Sequence, residues 1–578
     1  MMNNQLDTPG KTVAEESEIY DPRKLDTSTV EADKLTDWES EPTIADLKGD
    51  LEYARQENSD QKLNVQGWTD LRNATGVESG VKGKVVGRST VQPKLIRKHN
   101  EWRYPALSEP FLNSPKMFEI NPRTGEDKPA AEQNELVINW QFDTKLNKVA
   151  FIDRYVRKTV DEGTCIVRVG WERRTEKVQT EIDVFEYVEL DQGDEEGMAM
   201  LAEASQLYQE DPALFEVNRE IPDELKAAVE YGFENQVMVV ARKVGKEKKE
   251  ETKIVYNQPD LTIVESGNLF VDPSCKGDWE KAQFMVYTFE STKSDMKKRK
   301  IYKNLDKVNW GANEITAKSS TDHETTIPTT DSRTVRSKSK VLVYEYWGLW
   351  DIHGDDEMVP IVATFVGDTM VQLTMNPFPD KKPPFVIVPY MPILDSVYGE
   401  ADASLLQDNQ RILGAVTRGM IDILGRSANG QTGYQKGFLD PANRKRFING
   451  EDFEYNPNSD PRVAIQQMVY PPLPDSALQM TQIQNAEAEG LSGVKSFSGG
   501  ITGEAYGRVA RGTSAALDAA GQREMSILRR LAEGMRQIGG KIMSMNEFFM
   551  DEIEIVRVTN SKWIEVRRED LAGNFDLI

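Results

Sequence analysis

Apolar residues recur at the three- and four-residue spacing of helices in several separate stretches of the chain. The pattern predicts a helix near residues 43–76 and another over 129–162, which Gly163 ends. Three further helices are predicted at 399–427, 473–496 and 513–550. The first of these three would be roughly 40 Å long at 1.5 Å per residue, and its leucines, isoleucines and valines form one broad apolar face.

Alternation of apolar and polar residues predicts strands between and after these helices. Residues 164–187 alternate around a polar centre and are predicted as a hairpin, residues 341–374 as two or three strands, and residues 551–578 as a C-terminal β-hairpin. The closing letters "AGNFDLI" keep the strand pattern to the end, so either the last strand is paired in a sheet or further residues follow it. Long helices with separate strand regions indicate an α+β fold.

Three polar stretches lack such a pattern. Residues 1–45 are acid-rich and are predicted as a disordered or loosely attached N-terminal arm. Residues near 190–250 are predicted as a mobile, acidic helical insertion that leads into a strand, and the Ser/Thr-rich residues 317–340 as a mobile surface loop. With 578 residues, the chain is too long for one compact core, and two to four substructures are expected.

The formal net charge of −24 at pH 7 argues against a general nucleic-acid binder, because neutralising phosphates needs clustered lysine and arginine. The acidity serves either solubility or a surface that faces DNA without holding it. The two cysteines, Cys165 and Cys275, cannot make a disulfide framework, and Cys165 is expected to be a buried, inert thiol. Neither an apolar run of membrane-spanning length nor a signal peptide is present, so no membrane partner and no secretion are expected.

A search for catalytic patterns finds none with its parts in place. The glycine- and lysine-rich stretches do not match the spacing of a phosphate-binding loop, and the three histidines lack metal-ligand spacing. The sequence "DIHGDDE" at 351–357 either chelates a cation or, as the better explanation, forms a solvated hairpin turn. We therefore expect no enzyme, no cofactor and no metal, with a nuclease using Asp351, Asp355 and Asp356 as the remaining enzymatic alternative.

The stretch "PYMPILDSVYGEADASLLQDNQRILGAVTRGMIDILGRSANGQTGYQKGFLD" at 389–440 resembles portal proteins of tailed bacteriophages, in particular of the short-tailed type. The shared elements are the proline-rich lead-in, an aromatic-Gly before the helix, Asp-x-Gln-Arg within it, and a Ser-Ala-Asn turn after it. "DEGTCIVRVGWE" upstream and "EIVRVTNSKWIEVRREDLAGNFDLI" downstream resemble the same family.

The resemblance implies a portal fold assembled as a ring, usually of twelve copies, with the following division of the chain. The wing is 46–398, the first stem helix 399–427, the clip 428–472, the second stem helix 473–496, the tunnel loop 497–512, the long kinked helix 513–550, and the C-terminal hairpin 551–578 with a crown that is short or missing. The implied partners are double-stranded DNA passing through non-specifically, the terminase large subunit, a head–tail adaptor, the major capsid protein and a scaffolding protein. The implied location is the portal vertex of the virion, with host cytoplasm during assembly.

Two groups of residues are candidates for contacts within that scheme. Side chains expected to face the channel or DNA are Gln479, Gln482, Glu487, Lys495, Glu504, Arg508 and Arg511. In the glycine-rich tunnel loop, the two arginines either contact phosphates weakly or pair with Glu504 or a neighbouring subunit's carboxylate. The residues expected to dock the packaging motor and the adaptor at the clip are Arg444, Lys445 and Arg446, for which ordinary solvated charge is the alternative. A structural tail or baseplate component that never encloses DNA is the competing function.

Overall fold

The computed structural model describes residues 35–74, 88–114, 116–189, 201–202, 204–208, 215, 221–235, 239–310, 314–315, 340–428, 432–457, 460–467, 472–493, 510–559, 562–573 and 575–577. These residues contain both long helices and β-sheets, so the predicted α+β class is confirmed.

The helices in this part of the chain are α1 (Ile44–Asn73), α2 (Leu95–Asn113), α3 (Lys128–Thr144), α4 (Lys148–Glu162), α5 (Asp223–Asn235), α6 (Lys293–Lys298), α7 (Asp402–Ala428), α8 (Pro441–Asn449), α9 (Pro461–Ala464), α10 (Asp475–Ser492) and α11 (Ala510–Phe549). The strands are β1 (Ile120–Pro122), β2 (Thr164–Glu189), β3 (Val239–Val264), β4 (Leu269–Val271), β5 (Phe284–Thr292), β6 (Glu314–Ile315), β7 (Lys340–Asp351), β8 (Met358–Val366), β9 (Thr369–Met375), β10 (Phe385–Pro389), β11 (Met391–Pro392), β12 (Gly399–Glu400), β13 (Thr432–Tyr434), β14 (Ile465–Gln467), β15 (Ile553–Thr559), β16 (Lys562–Arg567) and β17 (Phe575–Leu577).

The chain divides into two compact units, of which the first comprises residues 1–118, 147–169 and 261–541. Its largest sheet has the antiparallel order β4-β5-β7-β8-β9, with β6 paired to β7. Because successive side chains of a strand point to opposite faces, β7 places Val341 and Val343 in one apolar cluster and Tyr346 in another. The second cluster is closed by the apolar face of α1, which includes Leu47 and Leu51.

The joint between α4 and the strands that lead to α7 is built on a close backbone crossing. Gly163 ends α4 with φ +71°, and its carbonyl oxygen accepts from the Tyr390 N–H at 2.8 Å. The Gly399 N–H in turn donates to the Thr164 hydroxyl at 2.9 Å. Strand β10 then pairs antiparallel with the first residues of β2, from Pro389 opposite Thr164 to Phe385 opposite Arg168.

The second unit comprises residues 119–146, 170–260 and 542–578. Its apolar core contains Val137 of α3 together with Val556, Val566 and Leu571 of the C-terminal segment. Strand β15 pairs with β16 as a hairpin, and the short last strand β17 pairs with β1, with Leu577 opposite Ile120. Strands β2 and β3, each of 26 residues, are neighbours in one sheet, and their residues 170–189 and 239–260 form a long ribbon in this unit.

Several sequence-based expectations need correction. Residues 164–187 form one uninterrupted strand rather than a hairpin, because their polar centre contains none of the Gly, Pro, Asn or Asp residues that close a turn. The predicted helix 129–162 is two helices, since Asn147 adopts a left-handed conformation with φ +48° and breaks it. Helix α2 was not predicted, because Pro105 and Pro110 lie inside it.

The boundaries of the terminal regions also differ from the expectations. The arm predicted over 1–45 is not loosely attached throughout, since Leu35 and Trp38 pack on the cluster beneath α1, and the Ser40 N–H donates to the Ile352 carbonyl. The last strand is paired in a sheet, which was one of the two alternatives for "AGNFDLI". Residues 317–339, predicted as a mobile loop, lie outside the described residues.

Candidate channel and docking site

The candidate site is the helix pair α7 and α10 with the small insertion between them. Helix α7 begins at Asp402, three residues later than predicted, because Gly399 and Glu400 pair with β11 as strand β12. Helix α10 spans Asp475–Ser492, and Gly493 ends it in a left-handed conformation with φ +77°. The two helices pack along a seam in which Leu406 and Leu413 of α7 contact the apolar cluster that contains Ala488 of α10.

Polar contacts fix the register of this seam. The Asn409 side-chain amide of α7 donates to the Gln484 side-chain oxygen at 2.9 Å and to the Glu487 carboxylate at 3.1 Å. Gln410 reaches the other way, because its side chain donates to the Leu71 carbonyl at 2.6 Å and accepts from the Ile96 N–H at 3.0 Å. Two consecutive residues of α7 therefore tie it both to its partner helix and to α1 and α2.

One buried cation joins the start of α7 to the end of α10. The Arg103 guanidinium of α2, almost fully buried, lies 3.1 Å from the buried Asp402 carboxylate and also donates to the Ser492 carbonyl oxygen. The Tyr390 hydroxyl donates to the same carboxylate at 3.0 Å. Removing either charge would leave the other without its counter-charge in a site screened from water, so this group fixes the root of the helix pair.

His99 lies beside this group, with its Nδ1 2.9 Å from the Ser492 hydroxyl. Burial, assisted by the positive charges of Lys98 and Arg103 and opposed by the negative charge of Glu489, lowers the pKa of His99 from 6.5 to about 4. The imidazole is therefore neutral near pH 7, where it can exchange a hydrogen bond with Ser492 without adding a second buried cation.

A short extended segment, residues 88–93, lies along the C-terminal half of α7. The Arg418 guanidinium donates to the Gln92 side chain, and the Ser89 N–H donates to the Asp422 carboxylate at 2.7 Å. One turn earlier, Gly414 leaves room for Gln92, because a Cβ at Gly414 would come within 2.9 Å of the Gln92 amide nitrogen. Residues four apart lie on one side of a helix, so this segment covers a single side of α7.

The remaining surface of the helix pair is unusually apolar. Ile412, Ile421 and Leu424 of α7 are between 38% and 54% exposed. On α10, Leu478, Met480 and Ile483 are between 39% and 57% exposed. Exposed apolar residues in such number on two adjacent helices are typical of a protein contact surface.

The insertion between the two helices has its own small core. Strand β13 pairs antiparallel with β14, and the buried Phe438 stacks on Tyr455 with ring centroids 5.5 Å apart. Helix α8 is capped at its start by the Asp440 side chain, which accepts from the Asn443 N–H at 3.0 Å, and ends at Gly450 with φ +74°. The chain thus runs from helix α7 through a small insertion with its own core to helix α10, which is antiparallel to α7. This is the element order of stem, clip and stem that the resemblance to portal proteins implies.

A family model described as the phage SU10 portal protein matches residues 43–578. The chain belongs to this family. It is therefore a phage portal protein, a structural component of the virion at a capsid vertex and not an enzyme. Among the described residues, no helix is long and apolar enough to cross a membrane.

Three of the predicted channel residues lie on α10. Gln479, Gln482 and Glu487 are all exposed, although Glu487 also accepts from Asn409 of α7. Lys495, Glu504 and Arg508 lie outside the described residues, and Arg511 lies in the first turn of α11, with its side chain undescribed. The predicted tunnel loop 497–512 is thus shortened at its end, because α11 already begins at Ala510. Whether these residues face DNA stays a prediction.

The basic residues predicted for docking lie together on α8. Arg444, Lys445 and Arg446 are all exposed, and the Arg444 guanidinium lies 4.9 Å above the Tyr434 ring. That contact orients one of the three cations through a cation–π interaction. The docking role of this group stays a prediction.

The acidic turn "DIHGDDE" is explained by its backbone. The Asp351 carboxylate accepts from the N–H groups of Gly354 at 2.7 Å and Asp356 at 2.9 Å, and also from those of His353 and Asp355. Desolvation of Asp351 acts to raise its pKa, but the four N–H donors together outweigh this effect and lower the pKa. The part of the chain that the structure describes contains no group of three metal-ligand side chains, and this turn between β7 and β8 matches the solvated hairpin interpretation.

Sequence reasoning missed the residues that hold the helix pair in place. Arg103 and His99 lie on the unpredicted helix α2, and Gln92 and Ser89 lie in a segment without periodicity. Gln484, which lies close in sequence to Gln479 and Gln482, is buried against Asn409. A helical wheel of α10 would have separated it from Gln479 and Gln482, because it falls on the side of Ala488.

Proposed function

We propose that this protein forms a ring of twelve copies at one capsid vertex, through which double-stranded DNA passes during packaging and ejection. The observation that carries the proposal is the pair α7 and α10, which encloses a separate small insertion and exposes apolar residues on both helices. A monomer gains nothing from exposing Leu424 and Ile483 to water, whereas neighbouring copies in a ring would bury them.

Helix α10 is proposed to form the channel wall. Its sequence "DSALQMTQIQNAEAEGLS" contains Asp475, Glu487 and Glu489 but neither lysine nor arginine, so each copy contributes a charge of −3 and twelve copies contribute −36. Such a wall repels phosphate within a Debye length of about 8 Å at physiological ionic strength. Outward amides such as Gln479 and Gln482 add hydrogen-bonding capacity without positive charge, so that a duplex slides and does not bind.

The tunnel loop is proposed to supply the positive charges that α10 lacks. Arg508 and Arg511 would make weak, non-specific phosphate contacts at the constriction, with Lys495 just before the loop and Glu504 within it. The double variant Arg508→Ala/Arg511→Ala should shorten or slow DNA packaging. Packaging of unchanged length and rate would instead favour pairing of these arginines with Glu504 or a neighbouring carboxylate.

The insertion 428–472 is proposed as the docking platform for the terminase large subunit and then for the head–tail adaptor. Arg444, Lys445 and Arg446 are exposed on one short helix, where they can meet an acidic partner surface. The wing, 46–398, is proposed to contact the major capsid protein and a scaffolding protein during assembly in the host cytoplasm.

The mass of the purified assembly tests the ring directly. Twelve copies of a 65.4 kDa chain give about 785 kDa, and electron microscopy of that particle should show a central hole. Eleven or thirteen copies with a hole would still support the proposal, because overproduced portals vary in ring number. A stable monomer, dimer or trimer without a hole at micromolar concentration would contradict it and favour the tail-component alternative.

A further inference from the structure

The charge of this protein is concentrated in one region of the second unit. Residues 189–236 contain 14 acidic and 2 basic residues, a net charge of −12, which is half of the −24 of the whole chain. Directly after them, residues 242–249 contain 5 basic residues and 1 acidic residue, a net charge of +4. Opposed charges therefore follow each other in sequence, with four of the acidic residues on α5 and Arg242 at the start of β3.

Packing fixes which side of α5 faces outward. Ala228 and Val229 are buried in a small apolar cluster that also contains Ala241 of β3. Asp223 and Glu230, seven residues apart, lie on the side of α5 opposite these buried residues and are exposed, and we call these two residues the acidic helix face. Phe233 at its edge is 40% exposed, so the face offers apolar contact as well as charge.

The start of β3 presents a complementary row. Because side chains alternate along a strand, Val240, Arg242 and Val244 share one side and Ala241 lies on the other. All three residues of this row, which we call the basic strand row, are exposed, and Val244 is 64% exposed. The row combines one fixed cation with two apolar side chains.

The two surfaces cannot meet within one copy. Helix α5 packs on the side of β3 that carries Ala241, whereas the basic strand row occupies the opposite side of the same strand. In addition, the acidic helix face lies on the side of α5 that points away from its buried residues Ala228 and Val229. The two surfaces therefore face in opposite directions, and a second copy can bring one surface onto the other.

We propose that the basic strand row of one copy docks on the acidic helix face of the next copy. This contact joins two different patches, and a contact of this heterologous type generates a closed ring when its rotation closes. The occupant is a second copy of this chain because both halves of the complementary charge pattern lie on the chain itself. The inference rests on the proposed ring and identifies a contact within it that lies outside the helix pair.

Charge reversal with mixing tests the contact. Arg242→Glu places acid against acid between identical copies, and Glu230→Arg places base against base. Each single variant should raise the protein concentration at half-assembly at least tenfold, measured by analytical ultracentrifugation and native mass spectrometry. An equimolar mixture of the two variants should regain rings with alternating copies, because every contact then joins opposite charges.

The mixture also separates this inference from trivial outcomes. A variant that failed to fold could not be rescued by mixing with another variant. Mixing would also fail to restore ring formation if the reversal had broken a contact within one copy. The matched control Arg174→Glu makes the same reversal on β2 of the ribbon, outside the row, and should leave ring formation unchanged. The inference would be overturned if both single variants formed rings as readily as the wild type, or if the mixture did not restore rings. A wild-type protein that forms no ring would instead contradict the proposed function itself.

Discussion

The crossing of Gly163 and Gly399 allows a direct test of the joint that leads into α7. Alanine at Gly163 would place a Cβ inside contact distance of the Gly399 carbonyl oxygen, 2.7 Å from the Glu400 carbonyl carbon and 2.8 Å from the Ala401 nitrogen. All three neighbours are backbone atoms of the segment that starts α7, so no side chain can rotate away. The backbone itself must therefore shift. This shift would weaken the hydrogen bond from the Tyr390 N–H to the Gly163 carbonyl and the one from the Gly399 N–H to the Thr164 hydroxyl.

The cost follows from two separate effects. Overpacking costs about 1–3 kcal/mol, and a left-handed conformation costs an alanine about 1–2 kcal/mol relative to glycine. The loss of glycine's freedom in the unfolded chain returns about 0.4–1 kcal/mol. The net destabilisation is therefore about 3 kcal/mol. At about 2.1 cal/mol/K per residue over a unit of about 400 residues, Tm should fall by about 3–4 °C.

Thermal unfolding at a fixed scan rate, followed by tryptophan fluorescence, measures this shift. Gly354→Ala is the control for backbone strain alone, because Gly354 has φ +74° with nothing near its Cβ position. The loss of stability in this control should be about a third of the loss in Gly163→Ala. Gly419→Ala, in an open position of α7, should instead raise stability slightly. The reasoning fails if Gly163→Ala melts with the wild type or no lower than Gly354→Ala.

The remaining predictions concern buried polar groups. The pKa of His99 is about 4 in the folded chain and 6.5 in the unfolded chain. Because the unfolded chain takes up the proton first, the stability of the protein should fall as pH drops from about 6.5 towards 4. The variant His99→Gln should flatten that part of the profile of Tm against pH, and a profile identical to the wild type would contradict the assignment. Arg103→Met should cost about 3–5 kcal/mol, because the buried Asp402 carboxylate loses its counter-charge. Adding Asp402→Leu should recover part of this loss in a double-mutant cycle, whereas simple additivity of the two changes would exclude the ion pair. Burial raises the pKa of Cys165 to about 12 and raises that of Cys275, so neither thiol should react with an aromatic disulfide reagent at pH 8 until denaturant is added; rapid reaction of the native protein would show that the thiols are accessible.

The periodic elements of this chain could be predicted because burial imposes a period on them. Helix α1 and the three strands β7, β8 and β9 follow the apolar pattern closely, since each packs one side against a core. Cys165, expected as an inert buried thiol, is fully buried on β2. The family resemblance around 389–440 carried the functional prediction, because no catalytic or metal-binding pattern competed with it.

The remaining features depend on tertiary contacts that leave no local pattern. Helix α2 tolerates Pro105 and Pro110, and its buried Arg103 looks like a surface residue until Asp402 is found 299 positions later. Asn147 breaks a helix whose apolar spacing continues across it. The polar segment 88–93 is held against α7 by Arg418 and Asp422, which bond to it, and by Gly414, which leaves room for it.

The pairing of β1 with β17 has a consequence for how the protein is made. Ile120 leaves the ribosome long before its partner Leu577. At about 5–20 residues per second, synthesis of the intervening chain takes roughly 20–90 s. During that time β1 has no partner strand and the core around Val137 lacks Val556, Val566 and Leu571. The second unit can therefore be completed only after β17 has been translated.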